Sequence, residues 1–242
     1  MVISKRYLRL VRLIAIGLVT SLGCGLGQDE APKPLLFRAV AIGNTVPLTG
    51  LLYEHNGKPL MVSPSDASLS APFERPGVGP VKFFREIAPV SPETKPTRVP
   101  VLTADLNGAP LSLLVWNANG ADNKVSCSVI NDSWEAFPVQ TVRVLNFSRR
   151  KVVTQIENAV AEIQPSGIHL FPYSTNKLRI SCKVASMENQ GWKLQFSNSQ
   201  SIIQGRRVNI IISDCEPSPM DPEPDGINVI KMIDPLLPPK KE

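Results

Sequence analysis

The stretch VTQIENAVAEI (153–163) decides the fold class. No segment of the chain has a convincing helical period with caps, and this one comes nearest. It reads equally as two strands meeting at Glu157-Asn158, and its surroundings favour the strands. Short runs rich in β-branched or aromatic residues lie on both sides: LLFRAVAI (35–42), VKFFREI (81–87), LSLLVWN (111–117), KVSCSVI (124–130), TVRVLNF (141–147), KLRISCKVAS (177–186), WKLQF (192–196) and RRVNIIIS (206–213). Several alternate apolar and polar residues, as half-buried antiparallel strands do. In KLRISCKVAS, Leu178, Ile180, Cys182 and Val184 point one way, and Lys177, Arg179, Ser181 and Lys183 the other. A slip of one residue would bury two lysines and an arginine, which fixes the register.

Turn signals separate these runs: Asn56-Gly57, Asn107-Gly108, Asn119-Gly120, Ser166-Gly167, Gln190-Gly191 and Gln204-Gly205. Asn-Gly is the strongest short hairpin cue, because both central residues of a type I′ turn need positive φ. Strands at this spacing predict an all-β chain built as an antiparallel β-sandwich, with two consecutive units. The division falls near residue 138. Residues 35–137 form an N-terminal β unit in which 62–80 and 88–100 are Pro-rich and irregular, and 138–215 form a denser C-terminal unit. A Pro-rich linker (216–226) leads to a last strand, INVIKMI (227–233), within a final segment 227–242.

The stretch VRVLNFSRRKVVTQIENAVAEIQPSGIHLFPYSTNKLRISCKV (142–184) resembles a recurrent layout in uncharacterised secreted bacterial β-sandwich proteins with a lipoprotein-type signal peptide. There a strand ends in Asn-x-Ser, a hairpin follows, and a Pro-x-Gly turn precedes a strand with small polar residues. The resemblance covers about a third of the chain and implies an Ig-like or transthyretin-like sandwich rather than any activity.

The N-terminus reads as an export signal over residues 1–27. Lys5, Arg6, Arg9 and Arg12 precede the apolar run LIAIGLVTSL (13–22), which is too short to span a bilayer. Two cleavage routes fit. Ser21-Leu22-Gly23-Cys24 resembles a bacterial lipobox, with Cys24 as the lipidated residue, although Ser21 stands where that pattern prefers Leu. Gly25-Leu26-Gly27 offers an ordinary signal-peptidase site instead. The lipobox is favoured because Gly-Cys closes the apolar run. Residues 28–34 then serve as a tether. Removing the four signal cations lowers the formal net charge from +5 to +1, so the basic pI is no argument for nucleic-acid binding.

Of the four cysteines, Cys24 is acylated or cut away on either route, leaving Cys127, Cys182 and Cys215. At most one internal bridge can form, and Cys182–Cys215 is the candidate. The histidines, His55 and His169, have no carboxylate or cysteine at ligand spacing, so no zinc site is expected. Asp221, Glu223 and Asp225 alternate like the acids of a calcium loop, but Met232 occupies the position of the bidentate glutamate, and a solvated acidic linker is the better reading. Ser174-Thr175-Asn176-Lys177 matches Ser-x-x-Lys of the penicillin-recognising enzymes, yet it lies between strands with no Lys-Thr-Gly after it. Asn131-Asp-Ser133 and Asn146-Phe-Ser148 carry the N-glycosylation spelling, which matters only in a eukaryotic secretory pathway. Arg149-Arg150-Lys151 and Arg206-Arg207 read as solvated turn residues.

Aromatics are 6% of the chain; Phe83, Trp116, Phe147 and Phe196 have core-like spacing, whereas Trp134 and Trp192 sit near turns and mark a candidate binding patch. The expectation is an exported, lipid-anchored protein of the periplasm or cell envelope, attached to a membrane through its lipid. It is expected to have no cofactor and no catalysis, and a structural or protein-interaction role toward a protein or cell-wall polymer. The alternative is a glycan- or peptide-binding module using the loops near Trp134 and Trp192.

Overall fold

The computed structural model describes residues 34–237 except 44–47, 66–67, 78, 89–95, 107, 120–123, 175, 177, 216–219 and 221–225. Cys24 and the acids Asp221, Glu223 and Asp225 lie outside the described residues. The chain between contains sixteen strands and, among the described residues, no α-helix. In chain order they are β1 (Leu36–Gly43), β2 (Leu51–His55), β3 (Lys58–Val62), β4 (Phe73–Glu74), β5 (Val81–Ile87), β6 (Thr97–Ala104), β7 (Leu111–Asn119) and β8 (Lys124–Asn131). Then come β9 (Thr141–Asn146), β10 (Val152–Ile156), β11 (Ala159–Ile163), β12 (Ile168–Pro172), β13 (Arg179–Glu188), β14 (Gly191–Ser201), β15 (Val208–Asp214) and β16 (Ile227–Ile233).

The all-β sandwich expectation holds, and 153–163 is a hairpin. β10 and β11 pair from Val152↔Ile163 to Ile156↔Ala159, with Glu157 at φ 54° in the first central turn position. The β2–β3 hairpin has the same five-two-five layout, from Leu51↔Val62 to His55↔Lys58, and Asn56 and Gly57 both take positive φ as a type I′ turn needs.

The strands form four sheets, each of four strands: β4-β1-β7-β8, β3-β2-β5-β6, β12-β9-β15-β16 and β11-β10-β13-β14. The second pair of sheets repeats the first with eight added to every strand number. Even the irregularities recur: the register shifts at Phe83/Phe84 in β5 and at Val184/Ala185 in β13, its counterpart. The chain is thus a tandem repeat in topology, with Arg38 of β1 equivalent to Arg143 of β9 and Asp132 equivalent to Asp234.

Three cores show how the sheets stack. Phe37, Ala39, Ala41, Tyr53, Phe83, Leu114 and Trp116 fill the first sandwich. Val142, Val144, Ile180, Cys182, Val184, Ile210 and Ile212 fill the second. Val40, Ile42, Leu113, Val115, Leu145, Ile211 and Met232 fill a third core, between the sheets containing β1 and β9. These two are therefore inner sheets, buried on both faces, and the sheets of β2 and β10 are outer ones.

This layering explains one departure from the antiparallel expectation. β1 pairs with β7, and β9 with β15, in parallel. Strands buried on both faces read as near-continuous apolar runs, as in AVAI, LLVW and NIII. β16 pairs with β15 and belongs to the second inner sheet. A second departure is β6, which starts at Thr97 inside the segment read as irregular. Its Pro100 is tolerated because β6 is an edge strand, as are β3 with Pro59 and β12 with Pro172.

Because the third core is shared, the two sandwiches should unfold together. Ile211→Ala is expected to lower stability by about 3 kcal/mol without splitting the transition. Urea curves read at Trp116 and at Trp192, in variants that retain one reporter tryptophan, should coincide before and after the change.

Candidate functional site

β1 runs parallel to β7 and β9 to β15, and buried ion pairs join the starts of both pairs, so the molecule has two poles. One carries the starts of β1, β7, β9 and β15 and the ends of β8 and β16. There the third core gives way to charge. Arg38 donates from Nε to Asp132 Oδ2 (2.6 Å) and forms a bidentate pair with Asp234 through Nη1 (2.6 Å) and Nη2 (2.7 Å). Arg143 donates to Asp132 Oδ1 (2.7 Å) and to Asn209 Oδ1 (2.8 Å). Arg207 donates from Nε to Asp234 Oδ2 (2.7 Å), and its Nη2 lies 2.5 Å from the same oxygen as an ion pair outside hydrogen-bond alignment. All of these side chains are buried.

Three guanidinium groups face two carboxylates, which leaves one surplus positive charge. Neutral groups with negative potential offset it. Arg207 Nη1 donates to the carbonyls of Asp132 (2.9 Å) and Phe137 (3.1 Å), and Arg143 Nη1 to that of Asn131 (3.3 Å). The Phe137 ring lies 4.1 Å from the Arg143 guanidinium, and the Trp134 ring 3.8 Å from that of Arg207.

Burial pulls Arg143 down to about 10, against the attraction of Asp132 and helped by Arg38 and Arg207. Burial lowers Arg207 too. For Arg38 burial works in the same sense, but its hydrogen bonds to Asp234 and Asp132 outweigh it and the group is raised. Burial would raise the Asp234 carboxyl, yet the Arg38 hydrogen bond and the two guanidinium charges hold it below its ordinary value. These charges are spent on one another, so the arrangement is suited to locking sheets together.

This clamp went unread in the sequence. Arg207 reads in the sequence as a solvated turn residue, but it is buried because it leads directly into β15, whose faces are both covered. The available signal was the single arginine inside the apolar runs LFRAVAI and TVRVLNF, at the same place in each repeat.

The structure separates the two tryptophans expected to share a patch. Trp134 is half-buried over Arg207 at the first pole. Trp192 lies on β14 beside Met187, next to the Glu188–Gly191 turn. That turn belongs to the opposite pole: Glu188 accepts from Arg150 (2.9 Å), and Arg149 donates to Asp214 (3.0 Å), the last residue of β15. Seven residues of β15 separate the ends, roughly 20 Å.

On the outer face there, register places Met187 opposite Trp192 and Ala185 opposite Leu194, with Val153 opposite Ala185. Directly opposed residues share a face, so these side chains form one apolar row. Trp192 is 44% and Leu194 60% exposed.

The remaining candidates resolve individually. Cys182 and Cys215 are not bridged, and Cys127 is free as well. Cys182 is buried in the second core, while Cys215 follows β15 and donates its backbone N–H to Gly226. His55 pairs with Glu74 (3.3 Å), and His169 lies on edge strand β12 against Phe171. Ser174 donates to Asn176 (2.6 Å), a local turn contact. Asn146 is buried, its amide donating to the carbonyls of Arg150, Ile163 and Gln164, which ties the β9 end to its loops. Among the described residues no group of three or more His, Cys, Asp and Glu side chains is placed to hold a metal.

No protein-family model matches the chain, and no match is found among curated proteins.

Replacing Asp234 by Asn should destabilise the protein by about 3–5 kcal/mol, since two buried guanidinium groups lose their shared anion. The depressed Asp234 carboxyl gives the sign with pH. Its contribution is complete above the unfolded carboxylate value of about 3.9 and is lost as pH falls through the lower folded value. The difference in urea midpoint between wild type and Asp234→Asn should therefore shrink below about pH 4. The thiols supply a further test. Burial pushes Cys127 up to about 12 and Cys182 to about 11. Both should resist iodoacetamide at pH 8 in the folded protein and react only after denaturation.

Proposed function

We propose that the chain is an exported, lipid-anchored envelope protein whose double sandwich acts as a rigid spacer presenting an interaction surface to a protein partner. The signal-like N-terminus supports export, and Cys24 at the end of its apolar run supports the lipid. The observation that carries the interaction role is the row Val153, Ala185, Met187, Trp192 and Leu194 on the outer face, at the pole away from the point where the chain enters β1. A contiguous exposed apolar patch on a sheet face marks a contact surface. Aromatic and Met side chains are the types that concentrate at such surfaces.

Glycan or peptide binding is the second reading, favoured by the exposure of the Trp192 ring. It now rests on Trp192 alone, because one face of Trp134 is occupied by Arg207.

A photo-crosslinking residue at position 194 should capture a specific envelope protein in intact cells, and Trp192→Ala should abolish that capture while leaving the urea midpoint within about 0.5 kcal/mol equivalent of wild type. Capture unaffected by Trp192→Ala would sink the protein-partner reading. Binding on a glycan array that disappears with Trp192→Ala would replace it by the second.

A further inference from the structure

The pole of the charge clamp has an outer rim that the clamp does not use. Leu178 precedes β13 and is 68% exposed; Ile203 follows β14 and is 52% exposed; Leu237 follows β16 and is 68% exposed. A chain of hydrogen bonds fixes these three segments to one another. The backbone N–H of Ile202 donates to the carbonyl of Leu178 (2.9 Å). Tyr173 donates its hydroxyl to the carbonyls of Ile203 (3.3 Å) and Arg206 (2.5 Å). Arg206 in turn donates to the carbonyls of Pro235 (2.5 Å) and Leu236 (2.9 Å), which holds the tail bearing Leu237 against the β14–β15 connection. Large aliphatic side chains are thus held in water by backbone and side-chain anchors, which is not the behaviour of a fraying end.

Both ends of the described chain emerge at this same pole. The N–H of Leu36, the first residue of β1, donates to the carbonyl of Pro110, and that of Asp234, just past β16, to the carbonyl of Arg207. Ten Cα-to-Cα steps lead from Cys24 to Pro34. Fully extended they reach at most about 35 Å, so a lipid on Cys24 keeps the pole where the chain enters β1 within that distance of the bilayer.

We propose that this pole docks on the lipid surface through Leu178, Ile203 and Leu237. The inference builds on the membrane tether proposed above and adds a second point of contact. Apolar insertion is the main contribution, because the cations of this rim are turned onto the protein: Arg179 donates to Ser199 and Ser201, and Arg206 to the carbonyls of Pro235 and Leu236. The outcome is a fixed orientation: the clamp pole lies on the membrane, and the apolar row around Trp192 points away from it.

The test separates this docking from the lipid itself. The chain that lacks residues 1–23 and carries Cys24→Ser has neither the apolar signal run nor a lipid, and it should still co-sediment measurably with vesicles of phosphatidylethanolamine and phosphatidylglycerol. Leu178→Asp/Ile203→Asp should reduce that partitioning about tenfold or more. Met187→Asp/Leu194→Asp, at the other pole, should leave it unchanged. All three positions of the rim are solvent-exposed, and urea midpoints confirm that the variants remain folded. Absence of vesicle binding by the Cys24→Ser chain, or equal loss in both double variants, overturns the proposal. So does an oligomer that dissociates on Leu178→Asp/Ile203→Asp, which would give the rim to a second copy. The mass of the native N-terminal peptide independently decides whether Cys24 is lipidated, so failure of the tether and failure of the docking are distinguishable.

Discussion

Arg38 is held on one side by Asp132 and on the other by Asp234, and the relation between the two halves of the molecule depends on that arrangement. Apolar contact between the inner sheets supplies adhesion, but it is non-directional and would tolerate sliding. A guanidinium group with a bidentate carboxylate tolerates very little. Buried ion pairs are poor evidence of net stability, since desolvation consumes most of their attraction. We therefore read the clamp as an alignment device: leucine and isoleucine press the sheets together, and arginine and aspartate decide where they stop.

The repeat gives this alignment its economy. Arg38 and Arg143 occupy equivalent places on β1 and β9, and Asp132 and Asp234 equivalent places after β8 and β16. Each half brings one cation on its first strand and one anion after its last. Brought face to face, the halves cross-connect, Arg38 reaching Asp234 and Arg143 reaching Asp132. Arg207 has Leu111 as its counterpart, and it is the residue that breaks the symmetry and requires the Phe137 and Trp134 rings.

Much of the fold was legible in the sequence, for physical reasons that differ between strands. VKFFREI and INVIKMI match β5 and β16 residue for residue, because turn residues and prolines bound them. The hairpin at Glu157-Asn158 was legible only from its neighbours, since its own residues suit either state. β6 was hidden by Pro100, which reads as a breaker unless the strand is known to be an edge. The parallel pairs and the stacking were not legible, because apolar continuity does not say which partner covers which face. The clamp was least visible of all. An arginine in a strand signals a solvent-facing position unless a carboxylate waits for it, and here the partners lie 94 and 196 positions away. Trp134 and Trp192 stand apart from the core aromatics in the sequence by lying near turns, but only folding shows that they sit at opposite poles.

Those separations bear on how the molecule assembles. As the chain is made from its N-terminus, the first sandwich can complete its own core and pair Arg38 with Asp132. Its second face remains a sheet of Val40, Ile42, Leu113 and Val115 with nothing to cover it. The cover is β9 and β15, and the last piece of the lock, Asp234, follows β16. The halves engage fully only once β15 and β16 have been made, so a chain still being synthesised presents the face of its first inner sheet half-covered.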